Sequence, residues 1–243
     1  MSILSSQLRG WADRLRWAPL HPQWLLGTRD KMAGWIKEKC KGLVLDIGAA
    51  DRWIDHHLEP KVKYISLDYP ATGQNLYNAK PDIFGNAAQL PIRTESIDTV
   101  VLFEVMEHLE DPRSALEEIH RVLKPGGTLL LTMPFLYPLH DEPFDYQRYT
   151  EFGLRRELNA TGFKINAFSP TLGSAETIGL LSCITLGGII EKGLKEFHPT
   201  LLLAPFLMIL IALINLSTWA YGKIAPSWPN VTTGFKAEAT KPK

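Results

Sequence analysis

The chain has 243 residues, room for one large domain or one domain with an appendage. Lys plus Arg and Asp plus Glu each number 26, and this zero formal charge speaks against a nucleic-acid binder, which carries a basic excess. The two cysteines, Cys40 and Cys183, form no CxxC or Cys/His cluster, so neither a disulfide framework nor a structural zinc site is expected, nor any other metal.

The N-terminal stretch MSILSSQLRGWADRLRW has Arg9, Arg14 and Arg16 but no continuous apolar core, so it does not read as a secretory signal. Leu4, Leu8, Trp11 and Leu15 recur at helical spacing and predict a helical cap over 1–41. GLVLDIG (42–48) predicts a strand that carries an acid, Asp46, near its end. DRWIDHHLEP (51–60) predicts a helix stopped by proline, with His56 and His57 solvated on it. Strands follow at 63–69, ending near Asp68, at 82–86, and at 96–105, the last apolar enough to be buried on both faces. A helix is predicted over 111–127, with Asp111 as N-cap, Pro112 in its first turn and Gly126 past its end. A strand over 128–135, a helix over 150–163 capped by Thr150, and a strand over 164–169 complete an alternation that implies a doubly wound, mostly parallel α/β sheet.

Two apolar runs come next, 177–190 and 201–221, joined by the polar connector EKGLKEFHPT. Cys183 in the first reads as a small hydrophobe. The second run of 21 residues would reach about 30 Å as a helix, but Pro205 shortens the uninterrupted part to roughly 24 Å. The tail around 233–239 alternates like a final strand. If that strand rejoins the sheet, both ends of the insert attach to one domain and a single crossing is impossible. The expectation is a monotopic membrane patch, with Trp219, Tyr221 and Lys223 at the interface. The organisation is thus a cap over 1–41, a core over 42–170, an apolar insert over 171–227 and a returning strand within 228–243.

In an open α/β sheet, ligands bind beyond the carboxyl ends of the strands. The small residues after Asp46 allow close approach, and a helix start there would favour a carboxylate. Asp68, about 20 residues on, suits two ribose hydroxyls. A nucleoside carrying an amino acid matches this layout, whereas G-A-A-D-R-W at 48–53 lacks the dinucleotide G-x-G-x-x-G pattern.

The order of LDIGAA, SLDY, GNAAQLPI, SIDTVVLFEVMEHLEDP and RVLKPGGTLLLTMPF resembles the class I S-adenosylmethionine-dependent methyltransferases, in their small-molecule branch, over roughly residues 42–169. The resemblance implies S-adenosylmethionine as cofactor. Asp46, Gly48, Ala49 and Ala50 would line its methionine part, and Asp68 with Tyr69 its ribose. Asn86 and Ala87 would meet the adenine, and Phe103 and Glu104 would lie beneath the sulfonium. His108 would face the cofactor site or brace a turn. Two positions depart from the family: Ala50 stands for a glycine and Asn86 for an acid. Alanine fits beside a ligand where φ is negative, and an Asn amide can pair with the adenine edge.

MPFLYPLHDEPFDYQRYT (133–150) crowds polar groups beyond the fifth strand and resembles the same branch's P…H…P.DY.RYT segment. His140 is the first candidate base, with a pKa near neutrality, and Asp141 the second. Arg148 suits an acceptor carboxylate or phosphate. Tyr146 and Tyr149 either join it or anchor the loop. Relatives with such inserts, by the same resemblance, imply a lipid-linked or envelope-glycan acceptor, or another small molecule, at the cytoplasmic side of the inner membrane, and without a nitrogen- or carbon-specific signal the expected acceptor atom is oxygen. The alternative is a non-catalytic, membrane-anchored binding protein of this fold.

Overall fold

The computed structural model describes residues 16–27, 29–74 and 79–243; the periodicity of Leu4, Leu8, Trp11 and Leu15 lies outside them. Two compact units divide the chain. One contains residues 32–171 and 233–243, the other residues up to 31 and 172–232.

The first unit is a seven-stranded sheet. Its strands are β1 (Leu43–Ile47), β2 (Lys63–Asp68), β3 (Ile83–Phe84), β4 (Ile97–Phe103), β5 (Leu123–Pro134), β6 (Lys164–Pro170) and β7 (Gly234–Thr240). Their spatial order is β3-β2-β1-β4-β5-β7-β6, with β1 to β5 parallel and β7 antiparallel to both its neighbours. The period-2 alternation of β1 sends Leu45 and Ile47 into one core and Val44 into the other. Helix α1 (Arg29–Lys39) closes the second face, where Ile36 packs with Val44, Val101 and Leu130. Helices α2 (Pro112–Val122) and α3 (Glu151–Ala160) close the first through Leu116, Ile119, Leu154 and Leu158.

Asp111 caps α2, accepting from the backbone N–H and the hydroxyl of Ser114 at 3.1 and 2.6 Å, and Thr150 caps α3 through Gly153 N. The helix expected to reach 127 stops at Val122, and β5 starts at once. Pro125 cannot continue a helix, and Gly126 at φ +80° turns the chain inside the strand.

A larger correction concerns 51–60. The expected helix is a single 3₁₀ turn, Asp55–His57, because Ala50 and Arg52 take left-handed φ values of +42° and +57° and break any helical entry. No helix start therefore stands beside Gly48. Ala50 also escapes the expectation of negative φ. Ala50→Gly should relieve this strain and raise stability by about 0.5–1 kcal/mol, after the entropy cost of glycine is set against it, measurable as a denaturant midpoint shift at constant m.

The second unit centres on α4 (Ser174–Glu196) and α5 (Ala204–Ile224), with Pro205 in the first turn of α5, where its missing N–H costs nothing. The two helices run antiparallel. Gly179 lies against Thr218, Cys183 against Ile211 and Asn215, and Gly193 against Thr200. The buried Asn215 amide donates to Pro19 O (2.6 Å) and His21 O (3.0 Å), satisfying it in an apolar setting. Leu202, Phe206, Ile209, Leu213 and Trp219 are exposed. Both helices are long and apolar enough to cross a membrane. Within the first unit, Pro170 of β6 pairs with Phe235 of β7, so the chain leaves for the helices and returns from them at adjacent points of one sheet.

Candidate active site

The strand order reverses between β1 and β4, and the polar groups expected at a ligand site gather at the carboxyl ends there. Gly48, at φ +76°, turns the chain under β4; a Cβ on it would lie 2.3 Å from the Val105 side chain. Gly48 N and Ala49 N both donate to Leu67 O, and Ala50 N donates to Asp68 Oδ2 at 2.9 Å. Tyr69 N donates to the other Asp68 oxygen at 2.8 Å. The acid at the end of β2 thus ties the two turns together while each oxygen keeps a second lone pair. Burial raises the Asp68 pKa, and these two N–H groups work against the rise.

Asp46 is 2% exposed and accepts from the Tyr64 hydroxyl at 2.6 Å. Burial pushes it up to about 7; the Tyr64 hydrogen bond opposes this, Asp68 and Asp51 add to it, and Arg52 opposes weakly. The sign for stability follows. Between about pH 4 and 7 the folded carboxyl holds a proton that the unfolded one has lost, so stability falls as pH rises through that window. The loss is on the order of 4 kcal/mol, about three pKa units at about 1.4 kcal/mol each. In ligand-free protein Asp46→Asn should flatten this slope and melt higher than wild type at pH 7.5; equal slopes in a pH series of melts would refute the assignment.

Asn86 is exposed and folds its Oδ1 onto Ala88 N at 2.9 Å. Ala87 packs its methyl into the core, which leaves only its main chain for a ligand. Phe103 does not face the cleft end-on: it stacks on Trp35, centroids 5.5 Å apart, with Trp53 at 6.5 Å. Glu104, at φ +53°, follows the end of β4 and is open to solvent. Its main-chain N–H donates to Thr132 at 3.1 Å. Partial desolvation by the surrounding chain and then the Glu107 carboxylate raise the Glu104 pKa.

The 139–150 loop is clamped onto the turn after β4. Gln147 donates to Met106 O (2.7 Å) and Leu109 O (2.6 Å), and Tyr146 N to Glu107 O (2.9 Å). These contacts bring His140 beside His108, ring centroids 4.9 Å apart. Asp141 Oδ2 lies 3.9 Å from His108 Nε2. His108 thus lies beside His140 and Asp141. The Glu107 carboxylate raises the His140 pKa, burial lowers it and Asp145 adds to the rise.

Arg148 requires the plainest correction. Both its terminal nitrogens are engaged by Asp145, one at 2.7 Å, and they also donate to Gln147 O and Pro138 O. Its Nε is buried without a partner among the described residues. The guanidinium braces the loop and has no fork left for an acceptor. Tyr149 packs on the core as an anchor. Tyr146 is half-exposed, its hydroxyl 3.5 Å from Glu110.

Sequence reasoning missed Glu107, which is fully buried beneath His108 and His140. The E-x-x-E-H spacing of Glu104, Glu107 and His108 was the available signal.

Residues 45–131 match the family model described as a methyltransferase domain. A protein of Mycolicibacterium smegmatis named as a probable S-adenosylmethionine-dependent methyltransferase is 32% identical over 175 residues, which are 66% of this chain and 67% of that protein. The chloroplastic 2-methyl-6-phytyl-1,4-hydroquinone methyltransferase of Spinacia oleracea is 26% identical over 227 residues, covering 76% of this chain and 64% of the relative. Among solved structures, the [4+2]-cyclase SpnF superposes with a TM-score of 0.55 at 18% identity over 88% of this chain and 81% of that one, a likeness of fold alone. With its sheet order, its strand-end acids and these relatives, the chain belongs to the class I S-adenosylmethionine-dependent methyltransferases, enzymes that transfer a methyl group from that cofactor.

Proposed function

We propose that this methyltransferase transfers to an oxygen of a lipid-linked, envelope-glycan or other small acceptor at the cytoplasmic face of the inner membrane. When bound, the cofactor supplies an already activated methyl on sulfur. Asp46, Gly48, Ala50, Asp68, Tyr69, Asn86 and the main chain of Ala87 would hold it. The fit is supported by Asp46, a buried carboxylate met by a neutral hydroxyl, which a cationic ammonium would recharge.

The acceptor would enter beyond β4 and β5, over Glu104, His108 and His140. Of the two candidate bases, the Asp141 carboxylate is the better placed to take a hydroxyl proton, because both ring nitrogens of His140 already face carboxylates, Glu107 at 3.6 Å and Asp145 at 3.3 Å. Methyl transfer needs alignment above all, which the loop clamped by Gln147 supports.

The observation that carries the membrane half is the exposed stripe Leu202, Phe206, Ile209, Leu213 and Trp219, with Lys223 lying 3.5 Å over the Trp219 ring. A relative named for a phytyl hydroquinone acceptor points the same way. The test is cosedimentation with vesicles of anionic phospholipid, combined with labelled-methyl transfer to a membrane lipid extract. Phe206→Asp with Leu213→Asp should cut vesicle binding at least about tenfold and leave S-adenosylhomocysteine affinity unchanged. No vesicle binding by the wild type, with full transfer to a water-soluble acceptor, would overturn the membrane reading.

A further inference from the structure

Glu107 is an anomaly that cofactor binding does not use. Its side chain is fully buried, and neither carboxylate oxygen meets a hydrogen-bond donor among the described residues. A buried carboxylate left so is costly. Two imidazole nitrogens lie close to it: His140 Nε2 at 3.6 Å and His108 Nε2 at 3.7 Å, both from Oε1. A direct imidazolium–carboxylate bond would close to about 2.7–2.9 Å. The wider spacing is that of atoms arranged around something.

Both rings are oriented for it from behind. His108 Nδ1 lies 2.9 Å from Phe144 O, a pure acceptor, so Nδ1 carries the proton and Nε2 presents its lone pair towards Glu107 when the ring is neutral. His140 Nδ1 lies 3.3 Å from Pro138 O and 3.3 Å from an Asp145 oxygen, which fixes the same tautomer. Imidazoles held through Nδ1 by carbonyl or carboxylate, with Nε2 converging on a carboxylate, are the arrangement of metal-ligating histidines. The ligand atoms of Glu107, His108 and His140 all lie within 4.8 Å of one another. Donors about 2.1 Å from a common ion sit about 3.0–3.4 Å apart, so a shift of under about 1 Å per side chain closes the set. Glu104 borders it, near enough for the charges of Glu107 and His140 to act on it.

We infer that Glu107, His108 and His140 bind one divalent first-row transition cation at the acceptor end of the cleft. Two imidazoles and a carboxylate select manganese, iron, cobalt or zinc over calcium. Three protein ligands leave positions open, and one suits the acceptor hydroxyl of the proposed function, on which this role rests. With the cation lowering the hydroxyl's pKa, its proton passes to Asp141. The oxygen then bonds the methyl carbon, and the carbon–sulfur electron pair stays on sulfur. His140 thereby becomes a ligand, and the base is Asp141.

The experiment uses full-length protein stripped with a chelator, exchanged into chelator-free buffer and titrated with Co²⁺. We expect one saturating equivalent with a visible ligand-field absorption, displaced by Zn²⁺, and a rise in melting temperature with metal. Glu107→Gln and His140→Ala should each weaken binding at least about tenfold, with circular dichroism verifying their folds, while His57→Ala on the far turn should match the wild type. No saturable site in the wild type, or equal binding in Glu107→Gln, His140→Ala and wild type, would overturn the inference. S-adenosylhomocysteine calorimetry on the stripped protein should show binding intact; its failure there would count against the cofactor reading and not against the cation site.

Discussion

Asp68→Ala should lose at least about a hundredfold in S-adenosylhomocysteine affinity, equivalent to about 2.7 kcal/mol. Two effects combine. The carboxylate proposed to hold the ribose hydroxyls is gone, and so is the acceptor for Ala50 N and Tyr69 N, which ties the β1 and β2 turns into one surface. Asp68→Asn separates the two. An amide offers one acceptor oxygen and one NH₂, so one of the two backbone donors would face another donor. Its stability should fall by about 1–2 kcal/mol, the cost of a broken bond to a charged group. Calorimetry paired with denaturant melts reads both quantities. Asp68→Ala with wild-type affinity would remove this residue from the cofactor site.

The second large effect is at Asp145. Asp145→Asn should destabilise the protein by about 3 kcal/mol, because it leaves the Arg148 guanidinium against a neutral partner in a site where the acid's side chain is only 2% exposed. Against the cost of burial, Arg148 keeps the Asp145 carboxyl below its usual range, so the pair is charged at neutrality. For a domain of this size the loss is about 6–12 °C in melting temperature. Arg148→Met should cost as much, and the double variant less than the sum. If Arg148 served an acceptor instead, its variants would raise KM and leave the melting temperature alone.

The strand-end acids were legible because alternation is a local property: Asp46 among Leu45 and Ile47 has one face to go to, and β4 reads as buried on both sides. Capping by Asp111 and Thr150 was legible for the same reason. The absence of a helix after β1 was not, since nothing in Ala50 or Arg52 announces a left-handed φ, and the Ala50 N–H bond to Asp68 spans 18 residues. The role of Arg148 was hidden because a loop aspartate three residues earlier looks solvated until the loop folds over it. Glu107 was hidden by base expectation: glutamate is almost always exposed, and only the convergence of residues 108 and 140 gives its burial a reason.

The position of β7 has a consequence for biosynthesis. This strand lies between β5 and β6, not at an edge, so β6 has no hydrogen-bonded neighbour within the sheet until residues 234–240 have left the ribosome. The apolar pair α4 and α5 is translated before them. During that interval the nascent chain carries an unfinished sheet and a finished greasy hairpin, and a bilayer close to the exit site would shelter the second while the first waits for its missing strand.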